Sequence, residues 1–226
     1  MCIIFLFLFA FQRNANRDMS NVNIQFSNNK TPFISHQTVN NLLIEKHGSI
    51  KNINKEQLDL DALEYQLKSN PMIHHAEVFA TPSGILDIHI RQKTPIARVY
   101  THEKYYIDST GAPMPLSNNY SARVPLVTGY VSKHNLKHIY ALAQKINQDA
   151  FLKQHVYEIY QDDEHMLYLK LRACQFIVQI GKDTTFLDKK IDNLKAFYKK
   201  TLNSSIFNAY SKVNLQFENQ VICTKH

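Results

Sequence analysis

Residues 71–99 read PMIHHAEVFATPSGILDIHIRQKTPIARV, and the pattern inside this stretch decides the fold. Positions 76–80 and 85–90 are short, β-rich runs separated by Thr81-Pro82-Ser83-Gly84, a turn composition. They pair as an antiparallel hairpin. In the second run Leu86, Ile88 and Ile90 fall on one face, and Asp87 and His89 take the other together with Ile85. A strand of this kind needs a partner layer for its apolar face.

Upstream, that layer is written at helical spacing. Leu60, Leu63 and Leu67 form one stripe behind an Asp59 cap, and Asn70-Pro71 stops the helix because proline disfavours helical geometry in the residue before it. Ser35 caps an earlier helix in which Val39, Leu42 and Leu43 lie three and four apart and which ends at His47-Gly48. Earlier still, Val22, Ile24 and Phe26 alternate with polar residues as in a half-buried strand. The order strand, helix, helix, strand, strand makes a module of about 70 residues, near the lower size limit for an independent core.

Thr94-Pro95 marks a junction, and a second module follows. Strands are expected at 98–100 and 104–107 before a Ser109-Thr110-Gly111 turn. Ser132 opens a helix whose Leu136, Ile139, Tyr140, Ala143 and Ile146 make an apolar stripe. Strands at 156–160, 166–171 and 175–180 come next, the first two joined by the acidic turn Gln161-Asp162-Asp163-Glu164. A helix carrying Leu187, Ile191, Leu194 and Tyr198 on one face precedes two closing strands at 212–217 and 220–223. Antiparallel strands with segregated helices place the chain in the α+β class.

The chain has 226 residues and a formal charge of +7, its Lys and Arg spread in ones and twos rather than clustered, which points away from nucleic acid. Cys2, Cys174 and Cys223 have no metal-ligand spacing. The odd count excludes a disulfide scaffold and is compatible with a single Cys174–Cys223 bridge in an oxidising compartment. Five scattered glycines form no phosphate-binding loop. His74 and His75, adjacent in a strand, point to opposite faces and do not share an ion. Asp162, Asp163 and Glu164 read as a solvated turn, Cys174 as a small core residue, and the lysines of LDKKIDNLKAFYKK as the polar face of a helix, with contact to anionic lipid as the rival. No catalytic constellation emerges, so the expectation is a binding or assembly protein without cofactor, metal or small-molecule substrate. Positions 2–11, CIIFLFLFAF, are apolar throughout but too few to cross a bilayer, which takes about 20 residues. They fit a fragment of a transmembrane helix, a degenerate signal or a sticky terminal segment.

Taken in order, these motifs resemble a known family. The first module resembles a POTRA domain, with Pro71, Ala76, Val78, Gly84, Leu86, Ile88, Arg91, Pro95 and Ala97 at the characteristic places. YYIDSTGAPMPL at 105–116 and RVPLVTG at 123–129 resemble the start of the second domain of the FtsQ, or DivIB, cell-division family, through Tyr106, Asp108, Gly111, Pro125, Leu126 and Gly129. YSKVNLQFENQVICT at 210–224 completes the match, and the long helix before Tyr210 suits the version found in Bacteroidetes-type bacteria.

The resemblance implies a truncated transmembrane segment and juxtamembrane stretch at 1–18, a POTRA domain at 19–95 and a mainly antiparallel β domain at 96–226. It makes 2–11 the outer half of a membrane helix whose first half is missing from this chain, with the bulk of the protein periplasmic at the inner membrane. It implies a divisome scaffold for septum formation that binds FtsB- and FtsL-like partners through its last hairpin, at Phe217, Glu218, Asn219, Gln220, Val221 and Cys223. Phe217 and Val221 would be the apolar anchors, and an edge of the POTRA module a second contact. The alternative is a POTRA-containing outer-membrane assembly or secretion factor, a class that usually carries tandem POTRA repeats or a barrel.

Overall fold

A computed structural model describes residues 4, 18–27, 32–47, 53, 58–201, 209–218 and 220–226. The apolar run at 2–11 lies outside them apart from Ile4, and among the described residues no helix is long and apolar enough to cross a membrane. The chain divides into two compact units, one formed by residues up to Lys93 with Ser117–Ser121, the other by Thr94–Leu116 and Ala122–His226.

The first unit runs β1 (Asn21–Phe26), α1 (His36–His47), α2 (Leu60–Lys68), β2 (Ile73–Ala80), β3 (Ile85–Gln92). Its sheet order is β1-β3-β2, with β3 antiparallel to β2 and parallel to β1. The hairpin register sets Ala76 opposite Ile90 and Ala80 opposite Leu86. Leu86, Ile88 and Ile90 are fully buried against Val39, Leu43, Leu63 and Leu67 of the two helices. Both expected caps form: the Ser35 hydroxyl accepts from the Thr38 N–H at 3.1 Å, and the Asp59 carboxylate from the Ala62 N–H at 2.9 Å. The buried Gln92 side chain accepts from the N–H groups of Phe33 (2.7 Å) and Ile34 (3.1 Å), pinning the approach to α1 onto the end of β3.

The second unit contains β4 (Pro95–Tyr100), β5 (Lys104–Asp108), β6 (Pro113–Pro115), β7 (Leu126–Gly129), α3 (Lys137–Gln148), α4 (Ala150–His155), β8 (Val156–Gln161), β9 (Leu167–Leu171), β10 (Ile177–Gly181), α5 (Leu187–Thr201), β11 (Tyr210–Asn214) and β12 (Ile222–Lys225). These strands make one sheet of order β12-β11-β10-β9-β8-β7-β4-β5-β6. Antiparallel pairs predominate, but β4/β7, β7/β8 and β10/β11 are parallel, so the sheet is mixed. For β7/β8 and β10/β11 the reason is the helical crossovers: α3 and α4 connect β7 to β8, and α5 connects β10 to β11, each long enough to return the chain to the same end of the sheet, whereas β4 reaches β7 by way of β5 and β6. β6, β7 and α4 are too short to show a period in the sequence. The expected start of α3 is also shifted. Ser132 organises a turn, its hydroxyl accepting from the His134 N–H at 3.3 Å, and the helix begins five residues later.

One face of the sheet is apolar: Val127, Ile159, Leu169 and Val178 are fully buried in a core shared with Ile139, Leu142, Ile191 and Leu194 of the helices. The opposite face carries a polar row across three strands. Glu158 of β8 accepts from the Thr128 hydroxyl of β7 (2.6 Å) and from the Lys170 ammonium of β9 (2.9 Å). Beside it Tyr160 and Tyr168 pack with ring centroids 5.9 Å apart.

Two sequence marks of the β domain acquire a physical reason here. The buried Asp108 side chain accepts from the N–H groups of Thr110 (2.8 Å) and Ala112 (3.0 Å) and from the Thr110 hydroxyl (2.6 Å), which shapes the β5–β6 turn. Gly129 has φ +90°, and a Cβ placed on it would lie 1.9 Å from the carbonyl oxygen of Gln161.

Candidate functional site: the β12 edge

The nine-stranded sheet ends at β12, which pairs antiparallel with β11 on one side, Val213 opposite Cys223 and Asn214 opposite Ile222. Among the described residues its other side has no strand partner. Such an edge offers unpaired N–H and C=O groups to an incoming extended chain.

The expected site residues distribute along this edge as follows. Phe217 and Glu218 lie in the turn before β12, with Phe217 47% exposed. Asn219 lies outside the described residues. Gln220 is exposed, and Val221 is half-buried and packs on the core of the unit, as does Cys223. Ile222, which the sequence reading did not single out, is 43% exposed. The period of two already contains this result: if Val221 and Cys223 face the core, Ile222 must face away. The strand also starts two residues later than expected and reaches Lys225, because the turn through Phe217 and Glu218 consumes the beginning of the run.

The turn is tied down by α5. Lys189 forms an ion pair with the Glu218 carboxylate, and the Asn193 side-chain amide donates to the Glu218 carbonyl oxygen at 3.2 Å. The Lys189 ammonium also sits 5.7 Å from the centroid of the Phe186 ring, which is 55% exposed and whose backbone occupies the left-handed region at φ 53°. Phe186, Phe217 and Ile222 thus provide exposed apolar surface around a turn that is held in place. The lysine-rich face of α5 is less uniform than its pattern suggested. Lys195 pairs with Asp149, and Lys190 is buried over Gly181, where a Cβ would lie 3.5 Å from its ammonium; desolvation lowers its pKa, partly opposed by Asp183.

The other groups considered as chemistry are placed as follows. Cys174 and Cys223 are free thiols. Burial pushes the Cys174 thiol up to about 11 from 9.0, and raises Cys223 as well. The neutral thiol is therefore the folded form throughout the physiological range. Since each pKa unit is ten-fold in thiolate, iodoacetamide at pH 8 is expected to alkylate Cys174 about 100-fold more slowly in the folded protein than in urea. Equal rates, followed by peptide mapping, would contradict that burial. Asp162 accepts from the Met166 N–H (2.8 Å) and the Tyr168 hydroxyl (3.0 Å), closing the β8–β9 hairpin. Desolvation first, then the Asp162 hydrogen bond and the surrounding charges of Asp162, Glu164 and Tyr160, push the Tyr168 phenol up to about 12. His74 is exposed, and His75 lies 3.2 Å from Glu77. Among the described residues no three His, Cys, Asp or Glu side chains gather as a metal site.

In the first unit the outer strands are β1 and β2. On β2 the Val78 N–H donates to the Glu64 carboxylate of α2 at 2.9 Å. The hydrogen bond from Lys68, and after it the one from Val78, hold the Glu64 carboxyl below its ordinary range. A helix side chain thereby covers part of the β2 edge.

The comparisons with known proteins follow the same division. A family model described as a POTRA-like domain matches residues 18–91. A second, described as FtsQ/DivIB, C-terminal related, matches residues 94–224, more than half the chain. No curated protein matches. The second match contains the whole nine-stranded sheet from β4 up to Thr224, including most of the β12 edge and the turn before it, and the chain belongs to the FtsQ/DivIB family of cell-division proteins.

Proposed function

We propose that this protein is a non-enzymatic scaffold of the divisome that captures FtsB- and FtsL-like partners by strand addition at β12. The unpaired outer edge of β12, inside the family-matched region, carries this reading. Main-chain hydrogen bonds to Ile222–Lys225 supply affinity, and the exposed side chains beside them supply selectivity. Val221 spends its side chain on the core, so Phe217 and Ile222 are the anchors available to a partner. Glu218 and Gln220 flank them at the turn, and Glu218 is oriented by Lys189. The apolar segment 2–11, as the outer half of a membrane helix, would place both folded units on the periplasmic side of the inner membrane during septum formation. In the first unit the β1 edge is the second contact.

The test is capture of the purified periplasmic domains of the organism's FtsB- and FtsL-like proteins by the full chain. Saturable capture is expected. Failure to retain either partner would remove the mechanism, whatever the family.

A further inference from the structure

The second unit has a cleft of about 340 Å³ that belongs to neither the β12 edge nor its turn. Its floor is apolar: Ile96 of β4, Ile146 of α3 and Val156 of β8, each no more than 2% exposed. Its rim is cationic, formed by Arg123 ahead of β7, Lys153 of α4 and Arg172 just after β9. The elements explain the convergence. β4, β7 and β8 run parallel and begin at this end of the sheet, and antiparallel β9 ends there. The Arg172 N–H donates to the His155 carbonyl at 2.9 Å, which fixes that arginine beside the end of α4.

Among the described residues no acidic side chain lines the cleft and no carboxylate pairs with Arg123, Lys153 or Arg172. Lys153 meets only the neutral Asn147 side chain, at 3.3 Å. Elsewhere in this unit Lys133, Lys145, Lys170, Lys189 and Lys195 each have an acidic partner, which the three cations of the cleft lack among the described residues. Three cations left around one hollow repel one another, and an anion between them would relieve that repulsion.

We propose that this cleft docks an acidic segment of a partner protein, carboxylates on the rim and one aliphatic side chain on the floor. Guanidinium groups match carboxylates in bidentate geometry, and the recessed Ile96, Ile146 and Val156 suit a side chain that can enter. A flat layer of lipid headgroups would reach the rim and leave the floor empty. The cleft lies at the ends of β9, β8, β7 and β4, three to six strands inward from β12, so a strand laid on the β12 edge does not fill it.

The probe is a fluorescein-labelled peptide, Glu-Glu-Leu-Glu-Glu, titrated by anisotropy against the full chain at low salt. Saturable binding is expected, weakened at least ten-fold by Arg123→Gln with Arg172→Gln. Lys199→Gln with Lys200→Gln removes the same charge from the exposed end of α5 and should leave binding unchanged. Equal weakening by both charge-removing pairs would show a general charge effect and overturn the proposal. So would unchanged binding in the arginine pair, or binding of phosphatidylglycerol vesicles without binding of the peptide. Circular dichroism of each variant establishes that it is folded.

Discussion

Gly129→Ala is expected to destabilise the second unit by about 3 kcal/mol or more, a large effect for one methyl group. The added Cβ would meet the backbone oxygen of Gln161 at 1.9 Å, and a backbone atom has no rotamer through which to retreat. Relief requires opening the end of the β7/β8 pairing, where Gly129 faces Gln161 and the Tyr130 N–H donates to the same carbonyl at 2.9 Å. The φ of +90° adds strain of about 1 kcal/mol or more for a residue with a side chain. Gly181→Ala is the comparison. It shares the positive φ, at 126°, but its nearest neighbour would be 3.5 Å away, so it should cost clearly less. Urea unfolding of both variants measures the difference. Equal midpoints would mean that the close approach at Gly129 does not govern its stability.

The second large effect concerns binding. Phe217→Ser combined with Ile222→Lys should weaken capture of the FtsB-like domain about thirty-fold without unfolding the protein. Both side chains are nearly half exposed, so the unit loses little when they change. A partner strand would bury their remaining apolar surface, about 2 kcal/mol for the pair, which corresponds to that factor. The lysine introduced by Ile222→Lys would in addition place a charge on the edge, a device that discourages strand pairing. Undiminished capture by a folded double variant would move the interface away from β12. Val221→Pro is the harsher companion, because it removes a backbone donor next to the strand.

The first unit was legible almost residue by residue. The alternation in β1 and β3, the leucine stripes of α1 and α2, the Ser35 and Asp59 caps and the Thr81–Gly84 turn are local signals, and the packing agrees with each of them. The second unit was legible where its elements are long, as in α3 and α5. Its parallel pairings were not, because they depend on which distant strand a crossover returns to, and local pattern carries no such information. Nor does pattern reveal that Lys190 is buried, because its place on α5 reads as part of the polar face. At the β12 edge the last hairpin was identified, but Val221 was read as an outward anchor; it packs on the core, so its neighbour Ile222 faces away. The basic cleft is a tertiary feature throughout: Arg123, Lys153 and Arg172 are scattered in sequence and meet only because three parallel strands begin at one end of the sheet.

Amide hydrogen exchange of the full chain, free and saturated with the periplasmic domain of the FtsB-like partner, reads strand addition directly. Strand addition predicts that protection rises at the outward-facing amides of Ile222–Lys225 and in the turn before them, while β10 and β11, already paired on both sides, change little. Protection confined to the first unit, with β12 exchanging as in the free protein, would contradict it.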